Sequence, residues 1–160
     1  MSEFFSFHDI YYKFARNQKY IKESGFLSPG SLLVLQGPSG AGKSTLLKLL
    51  ARLIKAESGL VYLRGQVWHN FPANEWRLNI QYVPQQPIMF EGTVKENLLL
   101  PFQIKMVAAS RPTPNVDIIK NQIKRIGLHE DILNQAAKTL SGGEKARIAI
   151  LRAILLNPSI

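Results

Sequence analysis

The stretch "GPSGAGKST", Gly37 to Thr45, sets the tightest limit on what this chain can fold into. It follows an apolar run, "SLLVLQ" (Ser31 to Gln36), and precedes "KSTLLKLLARLIK", where Leu46, Leu47, Leu50, Leu53 and Ile54 recur at helical spacing. A short buried strand, a glycine loop and a helix ended by Ser58-Gly59 are expected in that order. The loop satisfies G-x-x-x-x-G-K-[ST] in the context the motif needs. Gly37, Gly40 and Gly42 permit a tight backbone that turns successive N–H groups toward one point, and the helix starting near Lys43 adds its positive dipole end there. Such a point suits a phosphate. A glycine-rich turn before a core helix is the plainer alternative, but strand, spacing, lysine and hydroxyl all agree on a phosphate loop. The candidate nucleotide-binding residues are then Gly37, Pro38, Ser39, Gly40, Ala41, Gly42, Lys43, Ser44 and Thr45. Lys43 would reach the β and γ phosphates as a compact positive charge, and the Ser44 hydroxyl would be one ligand of an octahedral Mg²⁺.

A length of 160 residues with 46% hydrophobic content suits one soluble globular domain. With no cysteine there is neither a disulfide framework nor a thiolate metal site, which fits a reducing compartment, the cytoplasm by default. The opening "MSEFFSFHDIYYKF" intersperses Glu3, His8, Asp9 and Lys13 among its aromatics, so it is neither a signal peptide nor a membrane span. The net charge of +9 comes from 20 scattered Lys and Arg with no basic run, so no nucleic-acid partner is expected. Solubility is the first reading of that charge; attraction to nucleotide phosphates or an anionic membrane face is the second.

Residues 4 to 14 read as an opening strand, "ESGFLSPG" as turn chemistry, "GLVYLRG" as a strand, and "NIQYVPQQP" as a strand running into a loop. Thr93 to Leu100 reads as a short helix stopped by Pro101, and residues 108 to 115 as a surface loop. Helical sequence resumes from about Val116 to Gln135, broken near Gly127, and the last long helix runs from about Gly142 to Leu156. There is no internal repeat.

The last helix opens with "LSGGE", Leu140 to Glu144, where Ser141 and Glu144 have the spacing of a capping box. A cap alone does not call for two successive glycines, each of which costs about 1 kcal/mol of helix propensity relative to alanine. Gly142 and Gly143 leave the first N–H groups unscreened and, with the Ser141 hydroxyl, make a second anion-binding end.

At this point the sequence resembles the ATP-binding subunit of ABC transporters, whose signature is usually written LSGGQ; here Glu144 stands in place of Gln. The resemblance implies an α/β fold, the P-loop NTPase ABC-type nucleotide-binding domain, over the whole of residues 1–160. About 1–86 and 140–160 would form its core, and about 87–139 its helical subdomain. "YVPQQP" resembles the Q-loop of that family, which makes Gln85 the Mg²⁺-sensing and water-sensing side chain that also links to the membrane subunit; a polar strand end is its plainer reading. Phe14, 29 residues before Lys43 (43 − 14), falls where the family places an adenine-stacking aromatic, with Tyr12 as the alternative and a core role for either ring as the plainer one. "PIMFEGTVKENLLLPFQI" looks like the region after the Q-loop in small exporters of the iron-export type, and equally like a helical surface serving another substrate class.

The family further implies ATP and Mg²⁺ as ligands, a second ATP-binding subunit in a head-to-tail dimer, a membrane-spanning transporter subunit, and a peripheral location on the cytoplasmic face. Lys43 and Gln85 would serve catalysis, Ser44 and Gln85 the metal, and Ser141, Gly142 and Gly143 the partner's nucleotide. In that family the segment after "NP" is the Walker B strand with its carboxylates, and here only Ser159 and Ile160 follow Pro158. On this reading the 160 residues are an N-terminal fragment or a disrupted reading frame, hydrolyse ATP poorly, and leave "SLLVLQ" with an unpaired edge. Two other classes stay open: a soluble non-transport ABC ATPase, and a module that binds nucleotide without turnover. Against the first, the 56 residues from Gln85 to Ser141 (141 − 85) show no sustained heptads and no cysteine.

Overall fold

The computed structural model describes residues 4–15 and 19–160. The chain divides into two units, Met1–Ile80 and Gln81–Ile160.

In the first unit the aromatic run forms β1 (Phe5–Lys13), with Phe5, Phe7 and Ile10 buried. It pairs antiparallel with β2 (Tyr20–Leu27) on one side and with β3 (Ser58–Leu63) on the other. A two-residue β4 (Gln66–Val67) completes the order β2-β1-β3-β4. The presence of β2 corrects the turn expected over "ESGFLSPG": Glu23 to Leu27 are strand, and Gly25 lies opposite Phe7. A Cβ on Gly25 would sit 2.7 Å from the Phe7 ring, so this glycine makes room for an aromatic across the sheet rather than bending the chain.

The expected strand over Ser31 to Gln36 is absent. A strand needs a neighbour to take its N–H and C=O groups, and none of the described strands pairs with this segment. Leu32, Leu33 and Val34 are accordingly exposed, Leu32 at 86%. The helix after the loop, α1 (Lys43–Leu50), buries Leu46, Leu49 and Leu50 and stops well short of Ser58. It stops because Arg52 takes a left-handed backbone, φ 54°, and sends its guanidinium to the carbonyls of Trp68 and Phe71, 2.8 Å each. A further helix without a sequence expectation, α2 (Ala73–Asn79), brings Trp76 into full burial, where its indole N–H donates to the Leu50 carbonyl at 2.8 Å. The C-terminal end of α1 is thereby satisfied. Asn79 still belongs to α2 and Val83 is exposed, so the strand expected in "NIQYVPQQP" is also absent; Pro84 and Pro87 lack the N–H a ladder would need.

The second unit is helical: α3 (Val94–Leu99), α4 (Lys105–Ser110), α5 (Val116–Arg125) and α6 (Gly142–Ile154). The helix expected from Thr93 is α3, with Thr93 as its cap, and Pro101 lies in the 3-10 turn that continues it. Part of the loop expected at 108–115 is helix, since α4 runs through Ser110. Val94, Leu98, Ile119, Ile123, Ile132, Leu133, Leu140, Ile148 and Leu151 close one core between α3, α5 and α6. The chain breaks near Gly127, which has φ 71°, as its position after α5 suggests. Among the described residues no helix is long and apolar enough to cross a membrane.

Candidate functional site

The loop before α1 carries the geometry that its glycines promise. Gly37, Gly40 and Gly42 have φ of 152°, 78° and 95°, a region that side chains rarely tolerate. Gly42 is the N-cap of α1 and no side chain caps the helix, so its first N–H groups are left without a side-chain acceptor. A Cβ on Gly42 would also press on Ile21 of β2, 3.0 Å from its Cδ1. The Lys43 ammonium folds back over the loop and donates to the carbonyls of Gly37 (2.7 Å) and Pro38 (2.9 Å). Those carbonyl oxygens stand in for the anionic oxygens a phosphate would offer the same charge. Ser39, Gly40, Ala41 and Ser44 are exposed; Thr45 is half-buried. The donor set fits a polyphosphate with a bound Mg²⁺: open helix N–H groups, one ammonium, and an exposed Ser44 hydroxyl for the metal.

An aromatic pair at the end of β1, Tyr12 in the strand and Phe14 just after it, stands beside the loop. Phe14 and Tyr12 are half-buried with ring centroids 5.3 Å apart at 88°, and the Phe14 ring comes within 3.6 Å of where a Cβ on Gly42 would be. Phe14 is thus the ring shown against the phosphate loop. A cavity of about 260 Å³ opens there, with Tyr20, Ile21, Ala41, Gly42 and Lys43 in its wall.

Gln85, Ser141, Gly142 and Gly143 belong to the second unit. Gln85 is exposed in the bend between α2 and α3. Two backbone links hold the segment that follows it: Val94 N–H to Gln135 O and Ala137 N–H to Gly92 O, 2.9 Å each. Buried Asn97 accepts from Phe90 N–H (2.8 Å) and donates to Phe90 O (3.0 Å). Arg152, reaching from α6, donates to Ile88 O at 2.8 Å and lies 5.5 Å from the Phe90 ring centroid. Burial pushes its guanidinium below the ordinary arginine value. Neither Asn97 nor Arg152 was among the sequence candidates, although a polar residue between Val94 and Leu98 on a helix's apolar face is a readable signal.

At the start of α6 the capping box is complete. Ser141 Oγ accepts from Glu144 N–H at 3.3 Å, while Glu144 Oε2 accepts from Ser141 N–H (2.8 Å) and from its hydroxyl (2.7 Å). The hydroxyl bond, then the backbone bond, holds the Glu144 carboxyl below the usual carboxylate range. The Ser141 proton is therefore committed within its own helix, and an incoming anion has to displace a carboxylate to take it. A Cβ on Gly142 or on Gly143 would meet nothing within 4 Å. Packing inside this chain does not require either glycine.

The family model described as ABC transporter matches residues 23–160. The chain is 35% identical over 134 residues to the probable iron export ATP-binding protein FetA of Escherichia coli, covering 84% of this chain and 57% of that protein. It is 38% identical over 144 residues to the molybdate/tungstate import ATP-binding protein WtpC of Methanocaldococcus jannaschii, covering 88% of this chain and 46% of the relative. The chain thus spans about half the length of these curated relatives. Among solved structures, cbiO1 from Clostridium perfringens, part of the cbiONQ ABC transporter complex, superposes with a TM-score of 0.77 at 22% identity, covering 99% of this chain and 63% of that one. The chain belongs to the ABC transporter family and has the α/β fold of its P-loop nucleotide-binding domains.

Proposed function

We propose that this chain is the ATP-binding part of a transporter in which ATP binding joins two such subunits and hydrolysis releases them. The observation that carries the reading is the Lys43 ammonium lying across the loop carbonyls of Gly37 and Pro38, above an uncapped helix start. In this reading MgATP replaces those carbonyls: the loop N–H groups and Lys43 hold its β and γ phosphates, Ser44 ligates Mg²⁺, and Phe14 stacks on the base. Mg²⁺ held through Ser44 would supply charge neutralisation at the β and γ phosphates. Gln85 senses metal and attacking water, and Ser141, Gly142 and Gly143 meet the γ-phosphate held by a second subunit. None of these residues is a carboxylate, so what they supply is binding, positioning and charge neutralisation, not a general base. Residues 87–139 serve as the helical subdomain that contacts a membrane-spanning subunit, and the protein sits peripherally on the cytoplasmic face. The names of the relatives are consistent with this assignment and differ in cargo, iron export against molybdate or tungstate import.

The test is calorimetric titration of MgATP into wild type and Lys43→Ala. Loss of the ammonium lowers affinity at least tenfold, about 1.4 kcal/mol. Equal affinity in the two folded proteins would sink the assignment.

A further inference from the structure

A second recess in the first unit lies where α1 ends, and its chemistry is unlike that of the phosphate loop. It has a volume of about 420 Å³, and its wall carries Arg52, Lys55, His69 and Arg77 with no aspartate or glutamate. Leu53 and Trp68 supply an apolar side. Arg52, Lys55 and Arg77 bring three permanent cations into one wall, and an anion bound there would be attracted by all three.

The two guanidinium groups are held in place before anything binds. Arg52 Nη1 donates to Trp68 O and Phe71 O, 2.8 Å each, and Arg77 donates through Nε (3.3 Å) and Nη2 (2.9 Å) to the Arg52 carbonyl. These bonds also hold Arg52 at φ 54°, a strained backbone for a side chain of its size. Strain of this sort persists where surrounding contacts over-determine it. Here the result is a fixed pair of planar guanidinium groups in the wall of the recess, which lowers the ordering cost of binding. Of the polar side chains in the wall only His69 can accept a hydrogen bond, so the recess suits a ligand made of acceptors. Several cations together favour a phosphate group over a singly charged carboxylate.

We infer that the recess formed by Arg52, Lys55, His69 and Arg77 binds a phosphate group with an organic substituent against Leu53 and Trp68. This is a site separate from the Gly37–Thr45 loop. The phosphate could be carried by a small monoester or by a lipid headgroup, and the two sources are separable.

Phenyl phosphate is titrated calorimetrically into wild type, into the double variant Lys55→Gln/His69→Gln, and into Lys43→Ala. Both substituted residues of the double variant are exposed and leave the Arg52 and Arg77 bonds in place; circular dichroism checks that it folds. The expected result is saturable binding below about 1 mM, weakened at least tenfold in the double variant and unchanged in Lys43→Ala. In a parallel flotation assay, recruitment to phosphatidylglycerol vesicles but not to phosphatidylcholine vesicles, lost in the double variant, assigns the phosphate to a lipid headgroup. Binding that survives in the double variant, binding lost in Lys43→Ala alone, or no binding to either probe overturns the inference. The last pattern leaves the MgATP reading intact, because that reading is measured with a different ligand.

Discussion

Helix α1 begins on a glycine in the left-handed region with no side chain capping it, whereas α6 begins on a serine whose hydroxyl is closed by a glutamate of the same helix. Both starts offer unsatisfied N–H groups and a positive dipole end, and they finish that offer differently. The α1 end leaves satisfaction to whatever binds. The α6 end closes two of its donors itself, the Ser141 and Glu144 N–H groups, and an arriving anion meets a carboxylate first. An open end gains more from a ligand, while a closed end holds its shape in the absence of one.

The largest expected effect concerns what supports the closed end. Ile148 is fully buried about two turns below the cap, in the core shared by α3, α5 and α6. Ile148→Ala should remove about 2–5 kcal/mol of stability through lost burial and a residual cavity. Ser141→Ala, which removes the cap alone, should cost only about 1 kcal/mol. Urea unfolding of the two variants checks the ranking, and a cap variant as damaging as the core variant would mean that the α6 end rests on hydrogen bonding and not on packing.

The same substitution at the two ends should act with opposite sign. Gly42→Ala forces φ 95° on a residue with a Cβ and pushes that Cβ to 3.0 Å from Ile21 Cδ1. It should destabilise by at least about 1 kcal/mol. Gly142→Ala meets open space, and removing a helix glycine should stabilise by about 0.5–1 kcal/mol. Thermal melts read both signs. If Gly142 serves the approach of a partner's phosphate, the stabilised variant should also dimerise less in MgATP, read by light scattering. Stabilisation with undiminished ATP-driven dimerisation would remove the functional reason for that glycine.

What could be read in the sequence follows the same division. The phosphate loop and the α6 cap were legible because each is a local device in which residue spacing alone sets which N–H meets which oxygen. The Thr93–Glu96 box has the same spacing and the same bonds, and was equally readable in "TVKE". Pairing was not legible. "SLLVLQ" has the composition of a buried strand, but whether such a run is a strand depends on a neighbour that its own residues do not name. Gly25 misled in the other direction, since the ring that needs its missing Cβ lies 18 residues away (25 − 7) on β1. Arg52 ended α1 early through carbonyls of Trp68 and Phe71, again a non-local cause. The candidate site was readable at its two helix ends, and not in the residues that hold the segment after Gln85, Asn97 and Arg152.

The smallest effect tests the closed end directly, through acid. Glu144 is held below the usual carboxylate range by the Ser141 hydroxyl and then its N–H; Glu96 is held low in the same way by the Thr93 N–H and then its hydroxyl. A depressed folded-state value means that the unfolded chain takes up the proton first as pH falls. The stabilisation from each cap is therefore complete above the unfolded glutamate value, about 4.3, and is lost as pH drops through the lower folded value. Glu144→Gln keeps an oxygen for the Ser141 N–H but cannot titrate. Melting temperatures of wild type and Glu144→Gln, measured from pH 7 down to about pH 3, should converge over the acid part of that range. The same variant removes the charge an incoming phosphate must displace, so at neutral pH it should dimerise in MgATP at lower protein concentration than wild type. Parallel melting curves together with unchanged dimerisation would show that the carboxylate neither closes the α6 end nor competes for it.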